Sequence, residues 1–233
     1  MPPAAAARIT VIASNAVKEA LAELVPEFER ASPHRVVTLW GGTPDISARI
    51  GGGEVFDLVI LPGERIDELM GQGRLEAGGR VDIARSGIGV AVRAGARKPD
   101  ISSAAALEAA LLAARAIVLC SGPSSFYLAE LFQRMGIAAA IRSKIVQIGP
   151  GLPVAAALAR GEGEIGFTQV SELKSAPGID FLGPLPAEVQ HVTVWSAGLH
   201  TAAPAPDAAA ELVEFLRGPH AADVIKRSGM EPA

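Results

Sequence analysis

The chain has 233 residues, 49% apolar and 20% charged, with a formal net charge of -4. That is enough to bury a core in one large domain or two smaller units. The mildly acidic balance, the lack of any basic run and an aromatic content of 4% exclude a general nucleic-acid binder, which needs cations for phosphates and rings for bases.

The N-terminus, MPPAAAARITVIAS, lacks the basic start and long apolar segment of a secretory leader. The sequence therefore reads either as a cytoplasmic chain or as a mature, periplasmic form carrying a new Met. RITVIA at 8–13 is a β-branched run and is predicted as a buried strand. Ser14 or Asn15 then caps a helix whose apolar positions Val17, Leu21, Leu24, Val25 and Phe28 recur at helical spacing. Pro26 falls inside that pattern and is expected to kink or restart the helix. RVVTLW at 35–40 reads as a second strand that runs into the turn WGGTPDI, and 45–50 as a helix stopped by the glycines at 51–53. FDLVIL at 56–61 gives a third strand and IDELMGQGRL another helix. Strands alternating with helices imply parallel βαβ units and an α/β fold.

The long, glycine-studded run at 81–95 is expected to carry the chain from one lobe into another. Alternation then resumes: helix 103–114, strand 116–120, helix 125–135, strand 144–149, helix 153–160 and strand 164–169. A strand-like run at 189–199 returns the chain, and helices at 207–217 and 219–227 close it. The expectation is one lobe of 1–83 plus 196–233 and a second of 84–195, with crossings near 82–90 and 188–197. No apolar run approaches the ~20 residues needed to cross a bilayer, so no membrane insertion is expected.

In such sheets ligands sit beyond the carboxyl ends of the strands. The loops there carry Ser14, Asn15, Gly42, Thr43, Ser121, Ser124, Ser125, Thr168 and Gln169. Helix N-termini offer unpaired N–H groups and partial positive charge, and hydroxyls and amides add uncharged donors, a combination suited to a small anion. Any one of these residues alone reads as a helix cap; their repetition points to a ligand. Arg85, in an apolar stretch, needs a partner, either Asp82 or another structural carboxylate, or the carboxylate of a ligand. His191 and Trp195 read as packing residues, Phe126 and Tyr127 as candidates to line the ligand, and Cys120 as a buried thiol with no second cysteine to bridge. With no GxxxxGK[ST], no GxSxG and no HExxH or CxxC spacing, neither a cofactor nor a dedicated metal site is expected. Gly87-Ile88-Gly89 lacks the third glycine of a dinucleotide fingerprint.

From RITVIASNAVKEALAELVPEFERASPHRVVTLWGG to EFLRGPHAADVIKRSGMEP, the chain resembles the molybdate-binding group of type II periplasmic substrate-binding proteins. ARSGIGVAVRAGARKPDIS, GEGEIGFTQVSEL and GIDFLGPLPAEVQHVTVWSAG resemble one branch of that group, related to aconitate isomerase. The resemblance implies a two-lobed α/β fold, each lobe a mixed sheet flanked by helices, joined by a two-stranded hinge and closing as a monomer on a small anion for an ABC permease. It implies anion contacts at Ser14, at Thr43, at the backbone N–H of Ser124 and at the backbone of Val154. Gly42-Thr43 stands where the group usually has two serines, and Gln169 where it has a tyrosine. Those two departures favour an organic carboxylate over molybdate, because glutamine brings an acceptor as well as donors. The related isomerase suggests an alternative, an enzyme shifting an allylic proton, for which Asp45, His191 and Glu172 are the acid–base candidates.

Overall fold

A computed structural model describes residues 5–233; Met1–Ala4, part of the stretch read for a leader, lie outside them. In chain order the elements are β1 (Arg8–Ser14), α1 (Lys18–Ala31), β2 (Arg35–Gly41), α2 (Thr43–Gly51), β3 (Leu58–Pro62), α3 (Gly63–Gly71) and β4 (Val81–Arg93). Next come α4 (Ala104–Ala113), β5 (Ile117–Leu119), α5 (Pro123–Arg134), α6 (Ala138–Ile141), β6 (Ile145–Gln147), α7 (Val154–Ala159), β7 (Ile165–Gln169), α8 (Val170–Leu173) and β8 (Ile179–Pro184). β9 (Val192–Leu199), α9 (Pro206–Leu216), α10 (Pro219–Arg227) and β10 (Glu231–Pro232) complete the chain. The chain divides into two compact units: one runs to Arg85 and resumes at Thr193–Ala233, and the other is Ser86–Val192.

In the first unit β2, β1 and β3 run parallel, and β9 pairs antiparallel with β3. One sheet face is covered by α1, α9 and α10, which bury Leu21, Leu24, Phe28, Leu212 and Val224 with Ile9 and Trp195. A second cluster buries Ile46 and Ile50 of α2 and Ile66 of α3 against Ile12, Val59 and Leu61. Burying one such aliphatic side chain is worth about 1.5–3 kcal/mol, so these stripes hold the helices in place. Gly53 ends the α2 turn at φ +97°, where a side chain would be strained.

Pro26 does not restart the first helix: α1 is continuous through it, preceded by a 3-10 turn at Asn15–Val17. Pro26 is exposed, and so is Ala22, whose carbonyl loses its partner, so water can complete the missing bond.

In the second unit β6, β5 and β7 are parallel, and β4 is antiparallel to β7. β8, an element the sequence does not announce, pairs antiparallel with β4 across a register break at Val90/Ala91. Phe167, Ile88, Leu128 and Leu107 form one buried cluster; Val118, Val154, Leu158 and Ala91 form another.

Candidate functional site

In the first unit, the parallel register aligns Ser14 with Gly41. The ends of β1 and β2 therefore lie side by side, and so do the turns that follow them. Ser14 is 5% exposed and its Oγ accepts from the Ala16 N–H at 3.4 Å. Asn15 opens the 3-10 turn and is half-buried. Gly42 is the N-cap of α2 at φ -77°, ψ 150°, ordinary extended backbone, so no left-handed conformation explains this glycine. Thr43 is the first helical residue and 5% exposed, and its Oγ1 is buried with no hydrogen-bond partner among the described residues. Pro44 follows it in the first turn, where its missing N–H costs nothing.

Arg85 is the last residue of the first unit's leading segment. It is exposed, on β4 opposite Glu231, so burial does not force a charge partner on it. Asp82 is paired instead with Arg80 at 2.8 Å and accepts from the Ser196 hydroxyl at 2.6 Å. Burial pushes the Asp82 carboxyl up, but the bonds from Ser196 and Arg80 outweigh it and hold it below the usual range.

In the second unit, Ser124 opens the first turn of α5 and Gln169 ends β7, at 1% and 2% exposure. The Gln169 Nε2 donates to Ser124 Oγ at 2.9 Å. With that lone pair used, the Ser124 hydroxyl is left to donate its own proton onward. Gln169 is also the N-cap of α8. Glu172, three residues on, accepts from its backbone N–H and from Thr168 Oγ1 at 2.9 Å, the reciprocal half of a capping box. Burial pushes the Glu172 carboxyl up, against those two bonds. Cys120 is half-buried; burial and the nearby Glu172 raise its thiol pKa, so it is no reactive thiolate.

Ser125 is turned inward, its hydroxyl donating to the Cys120 carbonyl, and Ser121 likewise donates to the Ile148 carbonyl. Both hydroxyls are spent on backbone carbonyls. Val154 begins α7 with its side chain in the core, which leaves only its backbone to face outward. Tyr127 donates to the Val189 carbonyl at 2.9 Å and stacks on His191 at 4.7 Å, so both serve packing, while Phe126 is 60% exposed.

Sequence reasoning missed Gln190. Its side-chain oxygen accepts from the Ile88 N–H at 2.8 Å and its Nε2 donates to the Ile88 carbonyl at 3.0 Å, as a neighbouring strand would. A Cβ on Gly87 would come within 2.9 Å of that amide. The GxG at 87–89 is thus the available signal, and it marks close packing, not a phosphate loop.

The parallel strands, their antiparallel partners and the flanking helices define the two-lobed type II periplasmic-binding-protein fold. The solved molybdate-binding protein of Azotobacter vinelandii has this fold, with a TM-score of 0.78 and 20% identity over 95% of this chain and 98% of that one. The model of the bacterial extracellular solute-binding protein family matches residues 9–231, and the chain belongs to that family. Among curated proteins it is 35% identical over 230 residues to an aconitate isomerase from Pseudomonas sp, covering 96% of this chain and 87% of that protein. It is 25% identical over 243 residues to the molybdate-binding protein ModA of Azotobacter vinelandii, covering 97% and 90%.

Proposed function

We propose that this chain binds a small organic carboxylate as a monomeric periplasmic solute-binding protein and delivers it to an ABC permease. The observation that carries the reading is the Ser124–Gln169 pair. It supplies a neutral hydroxyl donor at the start of a 12-residue helix, beside an amide that brings an acceptor as well as donors. A bare carboxylate, like any fully ionised oxyanion, uses donors only; the hydroxyl of a hydroxy acid uses the acceptor as well. Ser14, Thr43 and the Val154 backbone are the further contacts this reading assigns. Asn15 and Gly42 shape the turns that carry them. The 35% identity to an aconitate isomerase supports a carboxylate over molybdate, and the family description supports a place outside the cytoplasm.

That same identity favours a second reading, in which the bound ligand is an unsaturated tricarboxylate and is isomerised. Titration calorimetry of cis-aconitate, trans-aconitate, citrate and molybdate against the wild type and Ser124→Ala tests the binding reading. A hydrogen bond to a charged group is worth about 1.5–3 kcal/mol, so the variant should bind its carboxylate roughly ten- to a hundredfold more weakly. Molybdate preferred over every carboxylate, or equal affinity in the variant, contradicts it.

A further inference from the structure

The first turn of α2 holds a buried hydroxyl that capping does not explain, and beside it an acidic side chain. The buried Thr43 hydroxyl has no partner among the described residues, and a buried polar group left unpaired costs about 1–3 kcal/mol unless something completes it. Two residues on, Asp45 is exposed, and its carboxylate turns back over the end of β2. A Cβ built on Gly41 would stand 3.3 Å from Asp45 Oδ2 and 3.1 Å from Ile46 Cγ1, so the carboxylate lies close over the end of β2. Gly41 pairs with Ser14, which sets the carboxylate at the same end of the sheet as Ser14 and Thr43. A negative charge there works against holding a plain anion, since it repels what the helix N-terminus attracts. It is what a proton transfer beside an anchored carboxylate needs.

We propose that the α2 turn is an acid–base site in which Thr43 Oγ1 donates to one carboxylate of an unsaturated polycarboxylate and Asp45 moves a proton along its carbon chain. The proposal rests on the second reading above for its substrate class. Asp45 Oδ2 takes a proton from the methylene carbon next to the double bond. The electron pair of that C–H bond forms a new C=C, and the pair of the old double bond moves to its far carbon, where the attached carboxylate delocalises it. Asp45 returns the proton to that carbon. The product is an isomer of the substrate, with no oxidant, reductant or second reactant consumed.

Proton NMR in D2O with trans-aconitate, alongside calorimetry of the same samples, tests this. The wild type should bind the tricarboxylate, put deuterium into its methylene and vinyl positions and yield the cis form. Asp45→Asn, nearly isosteric, should keep affinity within a few-fold and lose exchange at least a hundredfold, the low end of what a general base contributes. Asp45→Glu should recover part of it. Thr43→Ala should weaken binding, with exchange persisting at saturation. Exchange at the wild-type rate in Asp45→Asn, or a wild type that binds trans-aconitate without exchanging it, overturns the assignment of Asp45. A wild type that binds no unsaturated polycarboxylate overturns the reading beneath it instead.

Discussion

His200 ties stability to pH through one buried ring. It is 4% exposed, and its Nδ1 accepts from the Ala202 N–H at 3.0 Å, which places the ring proton on Nε2. That Nε2 has no partner among the described residues. Burial first, and the charge of Arg74 second, hold its pKa below the ordinary 6.5. The folded protein therefore binds this proton less readily than the unfolded chain. The stability so gained is complete above pH 6.5 and is lost as pH falls through the depressed value. Urea midpoints should drop as pH is lowered below 6.5, and His200→Asn should flatten that drop. A variant with the wild-type slope would show that other groups carry it. Proximity in sequence makes Asp82 a natural partner for Arg85; residues three apart on a strand point to opposite faces, and Arg85 lowers the pKa of the Asp82 carboxyl through its charge. Arg80, two residues before Asp82, takes the pairing instead.

Between elements, contact distance decides more than propensity. Gly166 of β7 lies under α7, and a Cβ there would come within 2.8 Å of Val154 Cγ1 and 2.9 Å of Leu158 Cδ1, both buried. Gly166→Ala should lower stability by about 1–3 kcal/mol, the usual cost of overpacking a core. Equilibrium denaturation measures it, and an unchanged midpoint would mean that α7 shifts freely. The strands built from β-branched runs, such as RITVIA and FDLVIL, are legible because an apolar run of that length has little else to become. β8 is not legible, because IDFLGP carries Asp, Gly and Pro, and only its pairing with β4 makes it a strand. α6 and α8, at four residues each, are too short for a helical period to show. Pro26 misleads because the penalty for an interior proline depends on whether the orphaned carbonyl reaches water, and exposure is invisible in the residue order.

For the molecule as a whole, strand–helix alternation and the placing of hydroxyls after strands are enough to indicate an α/β binding fold. The fate of each hydroxyl is not readable there. Ser124 and Ser125 are adjacent and chemically identical. Successive residues on a helix face different ways, so one meets Gln169 and the other is consumed by the Cys120 carbonyl. The closeness of the Asp45 carboxylate to the end of β2 is likewise not readable there. The most direct test of the central claim, that the ligand is a carboxylate and not molybdate, is a thermal-shift comparison of the wild type with citrate, cis-aconitate, trans-aconitate, molybdate and tungstate. A ligand present at ~100 times its Kd stabilises by about 2.7 kcal/mol, or roughly 5–10 °C for a chain of this size. The predicted result is a rise of that order with at least one of the carboxylates and none with molybdate or tungstate; a rise with the metal oxyanions while every carboxylate leaves the Tm unchanged would contradict it.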